Sequence, residues 1–173
     1  IIEGTAIAKD FTHIYASSFY YNEHGEPCWP AQVINYTNKT QFLFRIEKGI
    51  LDINDNAVND HFAEGELRVP FRNIVYIGDS ATDIPCMRLV NSLGGHSVGV
   101  YDLENTASKD TVRRMIRDER IRYYVPADYT KGSEMDTLMH RIIDKTAAYE
   151  VLEEKHLRDR KEAIGCNDRC HSS

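Results

Sequence analysis

Residues 73–83 read NIVYIGDSATD, and this stretch decides the fold. Its apolar, mostly β-branched residues 74–77 end abruptly at Gly78. A short apolar run of this kind predicts a buried strand, typical of a parallel sheet. Two carboxylates, Asp79 and Asp83, follow directly, with small residues between them. Because ligands of open α/β sheets bind beyond the carboxyl ends of the strands, the sequence predicts a functional site here.

The two acidic residues admit two interpretations. Their oxygens can hold a hard cation such as Mg²⁺, which uses one or two carboxylates together with water and phosphate. Alternatively, Asp79 closes a turn and Asp83 caps a helix that begins near Ile84. The residue types alone leave both interpretations open.

The composition is that of a globular protein. The chain has 173 residues, of which 42% are hydrophobic and 28% charged, enough for one α/β domain with a real core. A net charge of -6 without a basic stripe argues against a nucleic-acid partner, and no apolar run approaches a membrane span. The cysteines are too sparse for a disulfide framework, so we expect a cytoplasmic protein.

The first half of the chain begins with a predicted strand over residues 11–17, with Ser17 at its end. Residues 18–38 are rich in aromatic side chains around a turn signal at 24–27, and they predict a β-hairpin or a long ordered loop. The aromatic residues fit either the lining of a substrate pocket or cross-strand pairs of that hairpin. The spacing of apolar residues over 39–48 predicts a helix that Gly49 terminates.

Strand and helix patterns alternate in the second half of the chain. This alternation predicts a doubly wound, mostly parallel α/β sheet. We expect one α/β core over residues 1–149 and a charged helical extension with a tail over 150–173. The predicted elements are the strand 74–77, the helix 84–93, the strand 96–100, the helix 107–118, the strand 122–126 and the helix 133–148.

Three features thus stand at the ends of successive predicted elements: Ser17 ends a strand, Lys39 opens a helix, and Gly-Asp-x-x-x-Asp at 78–83 follows a second strand. This ordered set resembles the haloacid dehalogenase-like hydrolases, most closely their phosphoserine-phosphatase-like branch, over residues 11–129. The resemblance implies a Rossmann-like core and a Mg²⁺-dependent phosphatase that acts on a small phosphorylated substrate.

The resemblance also implies roles for four residues. The hydroxyl of Ser17 donates to a phosphate oxygen, and the ammonium of Lys39 offsets the anionic charge. Asp79 ligates Mg²⁺ directly, while Asp83 ligates it or supports it through water. The adjacent Ser18 is an alternative to Ser17, and Lys48 competes with Lys39, which we prefer because it opens the helix.

The chain departs from this family in one respect. The family's nucleophile is the first aspartate of an Asp-x-Asp motif on an earlier strand, and no such motif precedes Ser17. The chain starts with Ile1 rather than Met, so we expect a piece of a longer protein that has no activity by itself. A sheet incomplete at the N-terminus would require a complementing N-terminal segment or a homo-oligomer.

Other functions compete with the phosphatase hypothesis. A non-catalytic binding module or pseudo-enzyme would keep the fold without turnover. A receiver-like or nucleotide-binding α/β domain is less favoured, because no Gly-rich phosphate loop is present. A metal or redox cluster of Cys166, Cys170 and His171 lacks a second pair of ligands, and we interpret it as part of a polar tail.

Overall fold

The computed structural model describes residues 2–170 and the side chains of residues 2–164. It is an α/β structure with a parallel sheet in the order β3-β4-β5 and a separate antiparallel pair, β1-β2. This confirms the predicted α/β class and is compatible with a Rossmann-like core. The elements are β1 Ser18–Tyr21, β2 Pro27–Gln32, α1 Lys39–Lys48, β3 Val75–Gly78, α2 Ile84–Ser92, β4 His96–Tyr101, α3 Thr106–Arg117, β5 Tyr123–Pro126 and α4 Glu134–Cys170.

Segment 11–17 differs from its prediction. We expected a strand that ends at Ser17, but these residues form no strand, and Ser17 instead precedes β1. The chain there makes no strand ladder, and Tyr15 is held by its hydroxyl, which donates to the carbonyl of Leu51 at 2.6 Å. A segment of strand-prone residues forms a strand only when the edge of a neighbouring strand supplies backbone hydrogen bonds.

Helix α1 begins and ends where its sequence predicted. Before it, the Asn38 amide group accepts from the backbone of Asn35 at 2.8 Å and donates to the carbonyl of Val33 at 2.8 Å. After it, Gly49 has a φ of 74°, the left-handed conformation that glycine adopts without strain. These local bonds fix the position of Lys39 at the start of the helix.

The chain divides into two compact units, Ile1–Ser97 and Val98–Ser173. The core of the first unit packs α1 and α2 against the strand region around β3, through Leu43, Phe71, Ile74, Cys86 and Val90. The second unit buries its own apolar residues from β4, α3, β5 and α4. These are Val98, Val100, Tyr101, Val112, Met115, Val125, Met135 and Ile142, together with Ile121 in the loop before β5.

Helix α4 runs without a break through residue 150, where the sequence predicted a domain boundary. The hydroxyl of Ser133 caps its first turn by accepting from the backbone N–H of Asp136 at 3.1 Å. The charged segment 150–161 continues this helix, as expected. Within residues 2–170, no helix combines the length and the apolar character needed to cross a bilayer.

Candidate functional site

The carboxylate of Asp83 is the centre of a polar cluster at the end of β3. Its Oδ1 accepts hydrogen bonds from Lys39 Nζ at 2.7 Å and from the Tyr76 hydroxyl at 2.8 Å. Its Oδ2 accepts from the Ser80 hydroxyl at 3.1 Å. Only 8% of the Asp83 side chain is exposed, against 31% for Lys39. The cluster thus joins the first residue of α1 to the strand, turn and helix start formed by residues 76–83.

Gly78 makes room for this arrangement. A Cβ atom at this position would lie 2.8 Å from both Cβ and Cγ of Asp83, and 2.8 Å from the terminal methyl of Met87. A side chain on residue 78 would therefore push Asp83 away from its partners. The glycine of the Gly-Asp-x-x-x-Asp motif has a steric role at this site.

Asp83 occupies the N-cap position of α2, but its side chain makes no capping hydrogen bond. The carboxylate is turned instead toward Lys39, Tyr76 and Ser80. The interpretation of Asp83 as a helix cap is therefore wrong. A charged group this buried needs such partners, because an unpaired carboxylate would lose its hydration without compensation.

The partners decide the ionisation of the cluster. Burial by itself would raise the pKa of Asp83, but the hydrogen bonds from Lys39, Tyr76 and Ser80 outweigh it and lower the pKa below its ordinary value. Burial, followed by the hydrogen bond to Asp83, raises the pKa of Tyr76. Burial also raises the pKa of the neighbouring Cys86 thiol. Asp83 is therefore a carboxylate at neutral pH, and Tyr76 is a neutral donor.

Asp79 differs from Asp83 in its burial and in its hydrogen bonding. Its side chain is exposed, and no hydrogen bond or ion pair to it is found among the described residues. Asp79 follows β3 directly, as the sequence predicted. It is thus a solvent-accessible carboxylate, free to accept a ligand, beside a second carboxylate that is already engaged.

These residues fit a magnesium ion in part. Asp79 can offer oxygen ligands, and Mg²⁺ is commonly held by one or two carboxylates while water and phosphate complete the octahedron. Both oxygens of Asp83 already accept hydrogen bonds, which suits a supporting role better than direct ligation. Among the described side chains, no group of three or more His, Cys, Asp or Glu could hold a metal.

Ser17 is not joined to this cluster in the described structure. Its hydroxyl accepts a hydrogen bond from the backbone N–H of Ile34 at 3.0 Å, which ties segment 11–17 to the end of the hairpin. The alternative, Ser18, is the exposed first residue of β1. The predicted phosphate contact of Ser17 stays a prediction, whereas Lys39 and Asp83 are brought into direct contact.

The alternative lysine, Lys48, contacts a different part of the structure. Its ammonium donates to the carbonyls of Val58 and Asp60, each at 2.7 Å, and lies 5.2 Å from the centre of the Phe62 ring. Lys48 therefore fixes the loop after α1 rather than contacting Asp83. Of the two candidate lysines, Lys39 is the one at the carboxylate.

Sequence reasoning missed two members of the cluster, Tyr76 and Ser80. Tyr76 was counted among the apolar residues of a buried strand, and Ser80 among the small residues between the acids. A signal was present for Tyr76: it alone in that apolar run carries a polar atom, and a buried tyrosine hydroxyl usually finds a hydrogen-bond partner.

The aromatic segment, for which the sequence left a β-hairpin or a long ordered loop open, forms a β-hairpin. Its register places Tyr20 opposite Trp29 and Phe19 opposite Pro30. These aromatic side chains are largely exposed; 71% of Trp29 is accessible. The geometry therefore favours cross-strand pairs over a pocket lining for these residues. The side chains of Cys166 and Cys170, and all of His171, lie outside the described residues.

Comparison with known proteins leaves the family open. No model of a known protein family matches the chain, and no solved structure matches it. A curated relative is an uncharacterized protein from Borreliella burgdorferi, 26% identical over 102 residues. The match covers 59% of this chain and 34% of that protein, so the chain spans about a third of its relative's length.

Proposed function

We propose that this chain is part of a Mg²⁺-dependent phosphatase of the haloacid dehalogenase-like kind, which hydrolyses a small phosphate monoester. The observation that carries the proposal is the contact between Lys39 and Asp83 beside the free carboxylate of Asp79. A cation, two hydroxyl donors and the Asp83 carboxylate meet where a strand of a parallel sheet ends, and the exposed Asp79 follows that strand directly. The carboxyl ends of such strands are where these folds bind ligands.

The chemistry of phosphoryl transfer explains why these groups would be useful together. The transferred group spreads its charge over several oxygens, so positioning and electrostatic stabilisation supply most of the catalysis. Bound Mg²⁺ would neutralise part of that charge. In this chain, Asp79 would hold the ion, Asp83 would support it, and Asp83 would keep Lys39 extended toward the phosphate.

The nucleophile of the reaction would come from a segment outside residues 1–173. Upstream of the hairpin the acids are Glu3 and Asp10, both exposed on short 3-10 turns, and neither contacts Lys39 in the described structure. Residues 1–173 alone should therefore bind Mg²⁺ weakly and show no appreciable turnover, because removing a covalent nucleophile removes the reaction path.

The test is a hydrolysis assay with p-nitrophenyl phosphate and Mg²⁺, on the full-length gene product and on residues 1–173. We expect metal-dependent turnover by the full-length protein, reduced about 100-fold or more by Asp79→Asn. Asp144→Asn is the matched control, since Asp144 is an exposed acid on α4. Turnover by residues 1–173 that Asp79→Asn abolishes would contradict the external nucleophile.

A second candidate is a non-catalytic binding module with the same fold. The absence of an Asp-x-Asp motif ahead of Ser17 favours it. A full-length protein that binds Mg²⁺ and phosphate esters without hydrolysing them would support this alternative. Sub-micromolar Mg²⁺ affinity of residues 1–173 by calorimetry would show instead that this chain holds a complete metal site.

A further inference from the structure

A cavity of about 470 Å³ lies in the first unit, between segment 12–15, helix α1 and the loops that follow it. Its volume falls within the range of pockets that bind small molecules. Most of its wall is apolar. The apolar part of the wall includes Tyr15, Phe42, Leu43, Ile46, Leu51 and Val69.

This cavity adjoins the polar cluster. Lys39 and Tyr76 both line it, and both donate to the carboxylate of Asp83. The side chains of Thr12, His13 and Arg68 line it as well and are exposed to solvent, so the cavity has an open side. A molecule in the cavity would therefore lie next to the cluster while remaining able to exchange with solvent.

The charge of the lining is one-sided. Lys39 and Arg68 contribute cations, and among the described residues no Asp or Glu lines the cavity. Arg68 makes no ion pair or hydrogen bond that the structure records among its described residues, while its aliphatic stem passes over Gly49. Lys39 is already paired with Asp83, which leaves Arg68 as the uncompensated charge of the lining.

We propose that this cavity binds an organic anion with an apolar body of aromatic size, whose anionic group lies toward Arg68. The apolar wall would remove the organic part from water, and the guanidinium of Arg68 would hold the anion. This inference goes beyond the proposed function, because the anion lies at Arg68 and Asp79 does not line the cavity.

The experiment is calorimetric binding to residues 1–173 without Mg²⁺. The probes are 1-naphthyl phosphate, which has an apolar body, glycerol phosphate, which has a polar one, and inorganic phosphate. We expect 1-naphthyl phosphate to bind about tenfold or more tightly than the other two, because only its ring can use the apolar wall. Equal affinities for the three probes would overturn the proposal.

Two substitutions locate the binding in the cavity. Arg68→Gln should weaken 1-naphthyl phosphate binding about fivefold, whereas Arg88→Gln, at an exposed arginine of α2 outside the cavity, should leave it unchanged. Ile46→Trp should abolish binding by filling the space. Arg68 is exposed and unpaired, so its variant should stay folded. Equal effects of the two arginine substitutions would overturn the proposal.

The outcome separates this inference from the proposed function. Binding by residues 1–173 needs no nucleophile, so it can be measured whether or not the full-length protein hydrolyses phosphate esters. Selective binding of 1-naphthyl phosphate with an inactive full-length protein supports the cavity and rejects the phosphatase. If the full-length protein is active but residues 1–173 bind all three probes equally, the phosphatase is supported and the cavity proposal is rejected.

Discussion

The ammonium group of Lys39 lies 2.7 Å from a carboxylate oxygen of Asp83, although 44 positions separate the two residues in the chain. The pair connects the start of α1 to the start of α2, and Tyr76 and Ser80 complete the hydrogen bonding of the carboxylate. Because Asp83 is almost fully buried, this contact has consequences for stability as well as for function.

Asp83→Asn should lower the free energy of unfolding by about 2 kcal/mol, since it leaves Lys39 without its counter-charge and weakens the bonds from Tyr76 and Ser80. Asp79→Asn is the matched control. Asp79 is exposed and unbonded, so its substitution should change stability by less than about 0.5 kcal/mol. Urea unfolding measures both variants. Equal losses for both would show that the Lys39–Asp83 contact adds nothing to stability.

The stabilisation that the Asp83 carboxylate gives the folded protein should be lost as the pH falls into the acid range. The pKa of this carboxyl is lowered in the folded protein, so the unfolded chain takes up the proton more readily and stability falls as the pH drops. The contribution should be complete above about pH 5 and decline below about pH 4, near the ordinary pKa of aspartate. Urea unfolding of the wild type and Asp83→Asn from pH 3 to pH 7 measures it. A difference between them that stays constant over this range would contradict the assignment.

Arg45 should be a major support of the loop after α1. Arg45 is 3% exposed, and its guanidinium donates to the carbonyls of Ile53 at 2.8 Å and Asp55 at 3.1 Å, and also to that of Asp52. Arg45→Met leaves these carbonyls without a donor and should cost about 2–3 kcal/mol.

The control for this substitution is Arg88→Met, at an exposed arginine of α2, which should have little effect. Thermal unfolding compares the two variants. Amide hydrogen exchange should in addition show faster exchange in residues 50–55 of the Arg45 variant. Unchanged exchange there would mean that the loop is held by other contacts.

The outer edge of β3 should make residues 1–173 self-associate. β3 is an edge strand of the described sheet, and Ile77 within it is 42% exposed. Unpaired strand edges bind other strands, and a charged side chain on the edge opposes this. Light scattering should show a mass that increases with concentration, and Ile77→Lys should return the protein to a monomer.

Ile143→Lys is the control for the edge experiment, because Ile143 is an even more exposed isoleucine, on α4. It should leave the association unchanged. If Ile143→Lys disperses the protein and Ile77→Lys does not, the contact lies on α4 and the edge argument is wrong. A wild-type protein that stays monomeric at all concentrations would remove the need for a complementing segment.

Local signals in the sequence were sufficient for several elements. Helix α1 begins at Lys39 and ends at Lys48 as predicted, because its apolar spacing and the terminating Gly49 act within a few residues. The hairpin around residues 24–27 was one of two predicted forms, the other being a long ordered loop, because its turn and its paired strands are adjacent in the chain. The strand before Asp79 followed from a short apolar run, but its predicted burial was wrong in part, since β3 is half-buried and Ile77 is exposed.

The sequence by itself determined the α/β class, the helix that starts at Lys39, and the placement of two acids after a strand. Only the tertiary structure decided which acid is buried, that Lys39 rather than Lys48 meets it, and that Tyr76 and Ser80 join them. It also decided that segment 11–17 forms no strand. The physical reason is the range of the interactions: capping, turns and periodicity act between neighbours, whereas burial, ion pairing and strand pairing depend on residues distant in the chain.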